Sequence, residues 1–263
     1  HDTRTGKRGY SIVGRNEVVF DTASEDTSRP VETRYLVTKP LELESIRTWM
    51  APRAVKAFIE GKAPDPREVY KRVENYYRTY VDFAPDPRRY NLMSLAVMAS
   101  HLYRLFSAFP RVHVRGPQES GKERASRCFA YLAFLGIFEV NPTEAAMFRL
   151  AECQATQAID EAERFYQTGA GAGEVAPQRC LINTGYQEGA RVPRVLDVLG
   201  THKIVWFDAY APMALASIRD LGRVTRSRFI DVLMRRTVVS DYSNRAPSEK
   251  SAEEIRDDLY MLR

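Results

Sequence analysis

The segment Gly116–Lys122 constrains the fold of this 263-residue chain more than any other part of its sequence. It reads Gly-Pro-Gln-Glu-Ser-Gly-Lys and fits the spacing G-x-x-x-x-G-K. A β-like run, Arg111–Arg115, comes directly before it, and a helical pattern over Lys122–Phe134 follows. The sequence therefore predicts a strand, a glycine-rich loop and a helix in direct succession.

A loop of this kind is suited to binding phosphate. Its glycines let backbone N–H groups curl around a β-phosphate, and the helix N-terminus adds a partial positive charge. We expect the Lys122 ammonium to bridge the β- and γ-phosphates of a nucleotide. The remaining nucleotide-binding candidates are the other loop residues, Gly116, Pro117, Gln118, Glu119, Ser120 and Gly121.

Two carboxylates depart from the usual pattern of such a loop. Glu123 stands where a Ser or Thr hydroxyl usually binds Mg²⁺, and Glu119 stands where small residues are usual. Both carboxylates would repel a triphosphate by an amount that depends on screening. Either Glu123 contacts the metal directly, or hydrolysis is altered or lost, and the sequence leaves both alternatives open.

An acidic element follows the phosphate loop 38 residues after Lys122. A β-like stretch over Thr156–Ile159 ends in Asp160 and Glu161. An isolated Asp-Glu pair is uninformative, but after a phosphate loop it is typical of a magnesium site with a general base. We expect Asp160 to hold Mg²⁺ through water, together with Glu123, and Glu161 to polarise an attacking water.

These two elements resemble the Walker A and Walker B motifs of P-loop NTPases. Ile159–Arg164 is similar to the I-D-E-A-D form common in AAA+ ATPases, and Thr225–Ile230 is similar to the AAA+ S-R-F box. Over roughly residues 85–240 the chain resembles the ATPase domain of phage- and plasmid-borne replication proteins. The resemblance implies an α/β P-loop fold of AAA+ type that uses ATP and Mg²⁺.

The resemblance also assigns roles to single residues. Lys122 becomes the phosphate lysine, Asp160 the metal carboxylate and Glu161 the catalytic base. Arg228 becomes an arginine finger that reaches the γ-phosphate of a neighbouring subunit, with Arg226 as second choice. Such a finger implies a homo-oligomeric ring, and the family implies a DNA helicase or translocase. A salt bridge at a strand start is the alternative for Arg228.

Basic residues on a candidate hairpin point to nucleic acid. The hairpin is formed by Val192–Leu196 and Lys203–Tyr210, and Arg191, Arg194 and Lys203 are its candidate phosphate contacts. Such basic hairpins can track a phosphate backbone with a strong dependence on salt. A solvated basic turn is the alternative.

Strand and helix patterns alternate after Pro110, which predicts a parallel sheet flanked by helices. Within this region we expect a loop over 168–175 and a helix over Ala211–Leu221. The whole chain divides into four predicted parts: a leader or small β element at 1–40, which includes a β-like run at Thr33–Val37, a helical module at 41–110, a P-loop ATPase core at 111–240, and a linker with a helix at 241–263.

Composition limits the class of protein. The chain has 39 Lys and Arg against 34 Asp and Glu, a net charge of +5, and an ordinary hydrophobic content of 44%. No apolar run reaches the roughly 18 residues of a membrane span. Three unpaired cysteines favour a cytoplasmic, reducing setting. The start at His1, without an initiator Met, suggests a fragment of a longer protein.

Two other functions remain open at this stage. Glu119 and Glu123 favour a degenerate module that binds nucleotide without efficient hydrolysis and serves in assembly or as a switch. A small-molecule kinase on the same phosphate loop is the third alternative. The Asp-Glu-Ala ending and the S-R-F box disfavour the kinase, because a kinase needs an acceptor pocket and a lid.

Overall fold

The computed structural model of the chain describes residues 10–14, 17–21, 48–166, 176–198 and 201–263. The predicted loop at 168–175 and the β-like run at Thr33–Val37 lie outside these residues. The strands, numbered along the chain, are β1 Tyr10–Gly14, β2 Glu17–Asp21, β3 Arg111–Arg115, β4 Ile137–Val140, β5 Gln157–Asp160, β6 Arg191–Val198, β7 Thr201–Asp208, β8 Met213–Ser217 and β9 Phe229–Leu233. The α-helices are α1 Pro52–Ile59, α2 Pro66–Tyr80, α3 Arg88–His101, α4 Lys122–Leu132, α5 Glu144–Glu152, α6 Ala176–Thr184, α7 Arg223–Arg226 and α8 Glu249–Met261.

A five-stranded parallel sheet forms the centre of the fold. Its strands lie in the order β4-β5-β8-β3-β9, and every neighbouring pair runs parallel. Two antiparallel hairpins, β1 with β2 and β6 with β7, form separate two-stranded sheets. The predicted α/β class, a parallel sheet flanked by helices, is confirmed.

Helices cover both faces of this sheet. Neighbouring side chains of a strand point to opposite faces, so each strand contributes to a core on either side. Val112 and Val114 of β3 join a core built with α2, α3, α4 and α8. On the other face, Ile159 of β5 and Leu215 of β8 pack with α5, α6 and the base of the second hairpin. The three inner strands β3, β5 and β8 are thus buried from both sides, as strands of parallel sheets are.

The predicted helix over Ala211–Leu221 is wrong. Its first half is β8, which lies between β5 and β3 with all five side chains buried. A strand buried on both faces has a continuous apolar pattern, and its sequence Met-Ala-Leu-Ala-Ser is rich in the strongest helix former. Periodicity therefore could not separate the two structures, and Pro212 did not separate them either, because proline is tolerated in the first turn of a helix.

A buried arginine ties β8 to its surroundings. The guanidinium of Arg111, in β3, donates hydrogen bonds to the carbonyls of Ile182 at 2.7 Å, Gly185 at 2.6 Å and Ala211 at 3.1 Å. Burial lowers the pKa of Arg111 to about 9. The side chain thus satisfies three carbonyls at the end of α6 and just before β8, where water does not reach.

No helix in the described ranges is both long enough and apolar enough to cross a lipid bilayer.

We expect Arg111→Met to lower the free energy of unfolding by about 2–4 kcal/mol, because it keeps the buried bulk but removes three hydrogen bonds to buried carbonyls, of which that of Gly185 keeps a 3.3 Å bond from the Ala211 N–H. Urea denaturation measures the change. Arg88→Ala is the matched control, since Arg88 lies exposed against Asp86 and should change stability by less than about 1 kcal/mol. Equal stability of Arg111→Met and wild type would contradict the role given to these hydrogen bonds.

Candidate nucleotide-binding site

The segment Gly116–Lys122 joins the end of β3 to the start of α4, as its spacing predicts. Gly121 has φ +81°, and Glu119 has φ +61°. A Cβ at Gly116 would lie 2.5 Å from Ser120 Oγ and 2.9 Å from the carbonyl oxygen of Met234. Glycine is therefore required at 116 for close packing and favoured at 121 for backbone conformation.

A cavity of about 710 Å³ opens beside this loop. Glu119–Glu123 line one part of it, and Asp160, at the carboxyl end of β5, lines it as well. Among the described residues, the Lys122 ammonium makes a single long hydrogen bond, 3.5 Å, to the carbonyl of Pro117. Lys122 and Asp160 therefore share one cavity although 38 residues separate them in the sequence.

Arginines compensate the two carboxylates that depart from the usual loop pattern. Glu123 pairs with Arg127 one turn further along α4, at 2.8 Å. Glu119 lies 3.7 Å from Arg236, which also donates a 3.0 Å hydrogen bond to the carbonyl of Gln118. The repulsion that Glu119 and Glu123 would exert on a triphosphate is thus reduced at both positions.

The ionised form of Asp160 is disfavoured in the folded chain. Burial raises its pKa, while a 2.8 Å hydrogen bond from the Glu161 N–H and the charge of Lys122 lower it, and Glu123 adds repulsion. Its ionised form is therefore under-compensated. A cation placed in the cavity would stabilise the ionised form of this carboxylate.

Glu161 does not line the cavity. Its carboxylate forms a 2.7 Å ion pair with Arg164, and its backbone has φ +55°. This conformation is uncommon for a residue other than glycine and marks a constrained strand end. The residue expected to act as base is therefore paired with a neighbouring arginine three positions along the chain.

The two candidate finger arginines lie away from the cavity of their own chain. Arg228 donates a hydrogen bond to the carbonyl of Val224 and lies over the Tyr186 ring at 5.1 Å. Arg226 instead pairs with Asp220 at 3.0 Å and Asp231 at 3.4 Å. The salt bridge considered for Arg228 thus belongs to Arg226.

The β6–β7 hairpin separates its basic residues. Arg191 is exposed at the open end, whereas Lys203 lies toward the turn, beside His202. Arg194 pairs with Glu144 at 2.5 Å and lies over the Phe148 ring at 4.1 Å, so it is partly used in holding the hairpin to α5. The side chain of Lys203 lies outside the described residues.

The sequence does not predict the buried polar network that lies at the end of β8. His113 Nε2 lies 2.7 Å from Ser217 Oγ, and His113 Nδ1 lies 2.8 Å from Asp231. Burial lowers the pKa of His113, and Asp231 opposes this effect. Ser217 also accepts, through its backbone carbonyl, a 3.2 Å hydrogen bond from the Gly116 N–H. The network therefore connects Arg226, through Asp231, to the base of the phosphate loop.

Arg127 and Arg236 are the other site residues that sequence reasoning missed. Arg127 carries a weak signal, because it follows Glu123 at helical i,i+4 spacing. Arg236 carries none, since its contact with Gln118 joins residues 118 positions apart.

No protein-family model matches the chain, and no curated protein matches it. Among solved structures, a JCV helicase bound to a thiazolopyridinyl-phenoxyphenyl acetamide is similar at 14% identity, over 78% of this chain and 56% of that chain, with a TM-score of 0.39. An X-ray structure of JCV helicase is similar at 13% identity, over 75% and 52% of the two chains, with a TM-score of 0.38. This chain thus spans about half the length of the solved structures it matches.

We expect Asp160→Asn to stabilise the protein at pH 7. The folded-state pKa of Asp160 lies above its ordinary value of 3.8, so folding favours the protonated form and the ionised form lowers stability. The gain should shrink as pH falls through the raised folded-state pKa and disappear below about 3.8. Urea denaturation midpoints from pH 7 to pH 3 measure the effect.

Asp86→Asn serves as the control, because its partner Arg88 lowers the pKa of Asp86 and removal of that charge should not stabilise the fold. A lower midpoint for Asp160→Asn than for wild type at pH 7 would show that Asp160 is compensated in the folded state.

Proposed function

We propose that this chain is an Mg-ATP-dependent NTPase that acts, as an oligomer, as a DNA helicase or translocase in phage or mobile-element replication. The observation that carries the proposal is the cavity that Lys122 and Asp160 share at the N-terminus of α4. A glycine-rich loop, a helix N-terminus, an ammonium and a carboxylate are the groups that bind a metal-triphosphate.

Asp160 and Glu123 fit a magnesium site. Both are oxygen donors that line the cavity, and their mutual repulsion contributes to the raised pKa of Asp160. When bound, Mg²⁺ supplies charge neutralisation to the phosphates. The Glu123–Arg127 pair would have to loosen for Glu123 to serve as a direct ligand.

The other roles fall to residues of the chain itself. Lys122 and the N–H groups of the loop would bind the phosphate oxygens and compensate the charge that develops on the leaving group. Glu161 would orient the attacking water after leaving Arg164. The Glu161–Arg164 contact is half exposed at both partners, so its cost of opening is small.

Assembly and DNA contact complete the proposal. Arg228 lies outside its own cavity and is paired with a carbonyl and a ring rather than with a carboxylate, which suits a residue that serves a neighbouring subunit. Arg191 and Lys203 lie on a hairpin that forms its own two-stranded sheet. Arg194 is a weaker candidate for DNA contact, because it already forms an ion pair with Glu144.

A degenerate nucleotide-binding module is the second candidate. The observation that favours it is the pairing of both acidic groups needed for turnover: Glu123 with Arg127, and Glu161 with Arg164. Such a protein would bind nucleotide and change conformation without efficient hydrolysis.

Steady-state ATP hydrolysis with Mg²⁺, with and without single-stranded DNA, separates the two functions. For the motor, we expect turnover that DNA stimulates and that falls by about 10²–10⁴ in Glu161→Gln, because the water loses its base. Lys122→Ala should lose both turnover and nucleotide binding. Glu68→Gln and Lys71→Ala, an exposed pair in α2, are the matched controls and should keep full activity.

Nucleotide binding without turnover in wild type would favour the degenerate module. Turnover unchanged in Glu161→Gln would contradict the role of this residue.

Mixing two inactive variants tests the finger. Lys122→Ala loses its own phosphate site but retains Arg228, and Arg228→Ala retains a phosphate site that lacks a finger. We expect each variant alone to lose about 10³-fold or more in turnover and their mixture to recover activity. Arg226→Ala is the comparison variant. Failure of the mixture to recover, in a sample shown to form mixed oligomers, would contradict a finger in trans.

A further inference from the structure

The cavity extends beyond the phosphate-binding residues. A second set of its lining residues comes from the end of α2 and from the segment after β9, namely Asp82, Thr237, Ala246 and Pro247. The volume of about 710 Å³ lies within the range of small-ligand sites. A triphosphate on Gly121 and Lys122 therefore leaves a part of the cavity for the rest of the ligand.

Two hydrogen bonds hold the Asp82 carboxylate in place. The Thr237 hydroxyl donates to one oxygen at 2.6 Å, and the Ala84 N–H donates to the other at 2.8 Å. An ionised carboxylate offers about four acceptor positions, so these two donors leave acceptor capacity on both oxygens. Asp82 is half-buried, and it is oriented by neutral groups.

The same short segment contacts both the phosphate loop and Asp82. Arg236 donates to the Gln118 carbonyl at 3.0 Å, and the next residue, Thr237, donates to Asp82. Arg236, Thr237 and Asp82 all line the cavity that the Gly116–Lys122 loop borders. The segment therefore joins the loop and Asp82 into one cavity wall, which a ligand larger than a triphosphate could contact.

We propose that this part of the cavity holds the base of a nucleoside triphosphate, with Asp82 accepting a hydrogen bond from an exocyclic amino group of that base. The inference rests on the proposed function and adds the residue that recognises the base. A carboxylate only accepts hydrogen bonds, so a base that presents a carbonyl oxygen there is rejected by lone-pair repulsion and an unpaired acceptor. Ala246 and Pro247 supply apolar contact for a flat ring.

The proposal separates nucleotides by one chemical group. Adenine, guanine and cytosine carry an exocyclic amino group, whereas hypoxanthine and uracil carry none. Binding of ATP, GTP, CTP, ITP and UTP to the full chain, each with Mg²⁺, identifies the favoured base. Inorganic tripolyphosphate reports the phosphate part of the site alone.

We expect at least one amino-bearing triphosphate to bind about tenfold more tightly than ITP and UTP. Asp82→Ala should reduce this preference to less than about twofold and leave tripolyphosphate binding unchanged, which also shows that the variant is folded. Thr237→Val, which keeps the shape of the side chain, should reduce the preference in part. Asp86→Asn, on the same loop but outside the cavity lining, should keep it.

Equal binding of all five triphosphates by wild type, or a preference that survives in Asp82→Ala, overturns the inference while leaving the proposed function standing. Absence of any binding, tripolyphosphate included, overturns the proposed function and the inference with it.

Discussion

The close approach of the phosphate loop to the segment after β9 is the contact on which the candidate site depends. Gly116 lies so near the Met234 carbonyl that a Cβ would reach 2.9 Å from it, and the Met234 N–H donates to the Arg115 carbonyl at 2.6 Å. Because this contact fixes the start of the segment, Arg236 reaches Gln118 and the next residue reaches Asp82. The loop, the cavity and its further wall thus form one packed unit.

Charge balance is the second constraint on the site. The loop carries two carboxylates where a phosphate site ordinarily has a small residue and a hydroxyl, yet Arg127 and Arg236 pair with them. Asp160 is left under-compensated, with a raised pKa. The ionised Asp160 carboxylate thus lowers the stability of the folded chain, and a cation beside it would reduce that cost.

Local signals were sufficient to predict the strand, loop and helix around Gly116–Lys122 and the sheet class from the sequence. The strand before Gly116 and the helix after it are marked by short-range patterns, and so is the end of β5 at Asp160. By contrast, the sequence predicts a helix where β8 lies, because an alanine-rich strand buried on both faces has no period of two. His113 was missed for the related reason that its partners, Ser217 and Asp231, lie more than 100 residues away.

The same limit applies to the cavity walls. The pairing of Glu119 with Arg236 and of Asp82 with Thr237 depends on how the segment after β9 crosses the loop, and no spacing in the sequence encodes that crossing. The sequence therefore shows that Glu119 and Glu123 are unusual in such a loop but not how their charges are compensated. The tertiary contacts explain how one of them is compensated, since the arginine that pairs with Glu119 comes from the segment after β9, more than 100 residues further along the chain.

A crystal structure with Mg²⁺ and a non-hydrolysable ATP analogue tests the central claim most directly. We expect the β-phosphate within hydrogen-bond distance of the Gly121 and Lys122 N–H groups, the metal beside Asp160, and Glu119 still paired with Arg236. A nucleotide bound elsewhere, or a loop in which the Glu119 or Glu123 carboxylate occupies the phosphate position, would contradict the account.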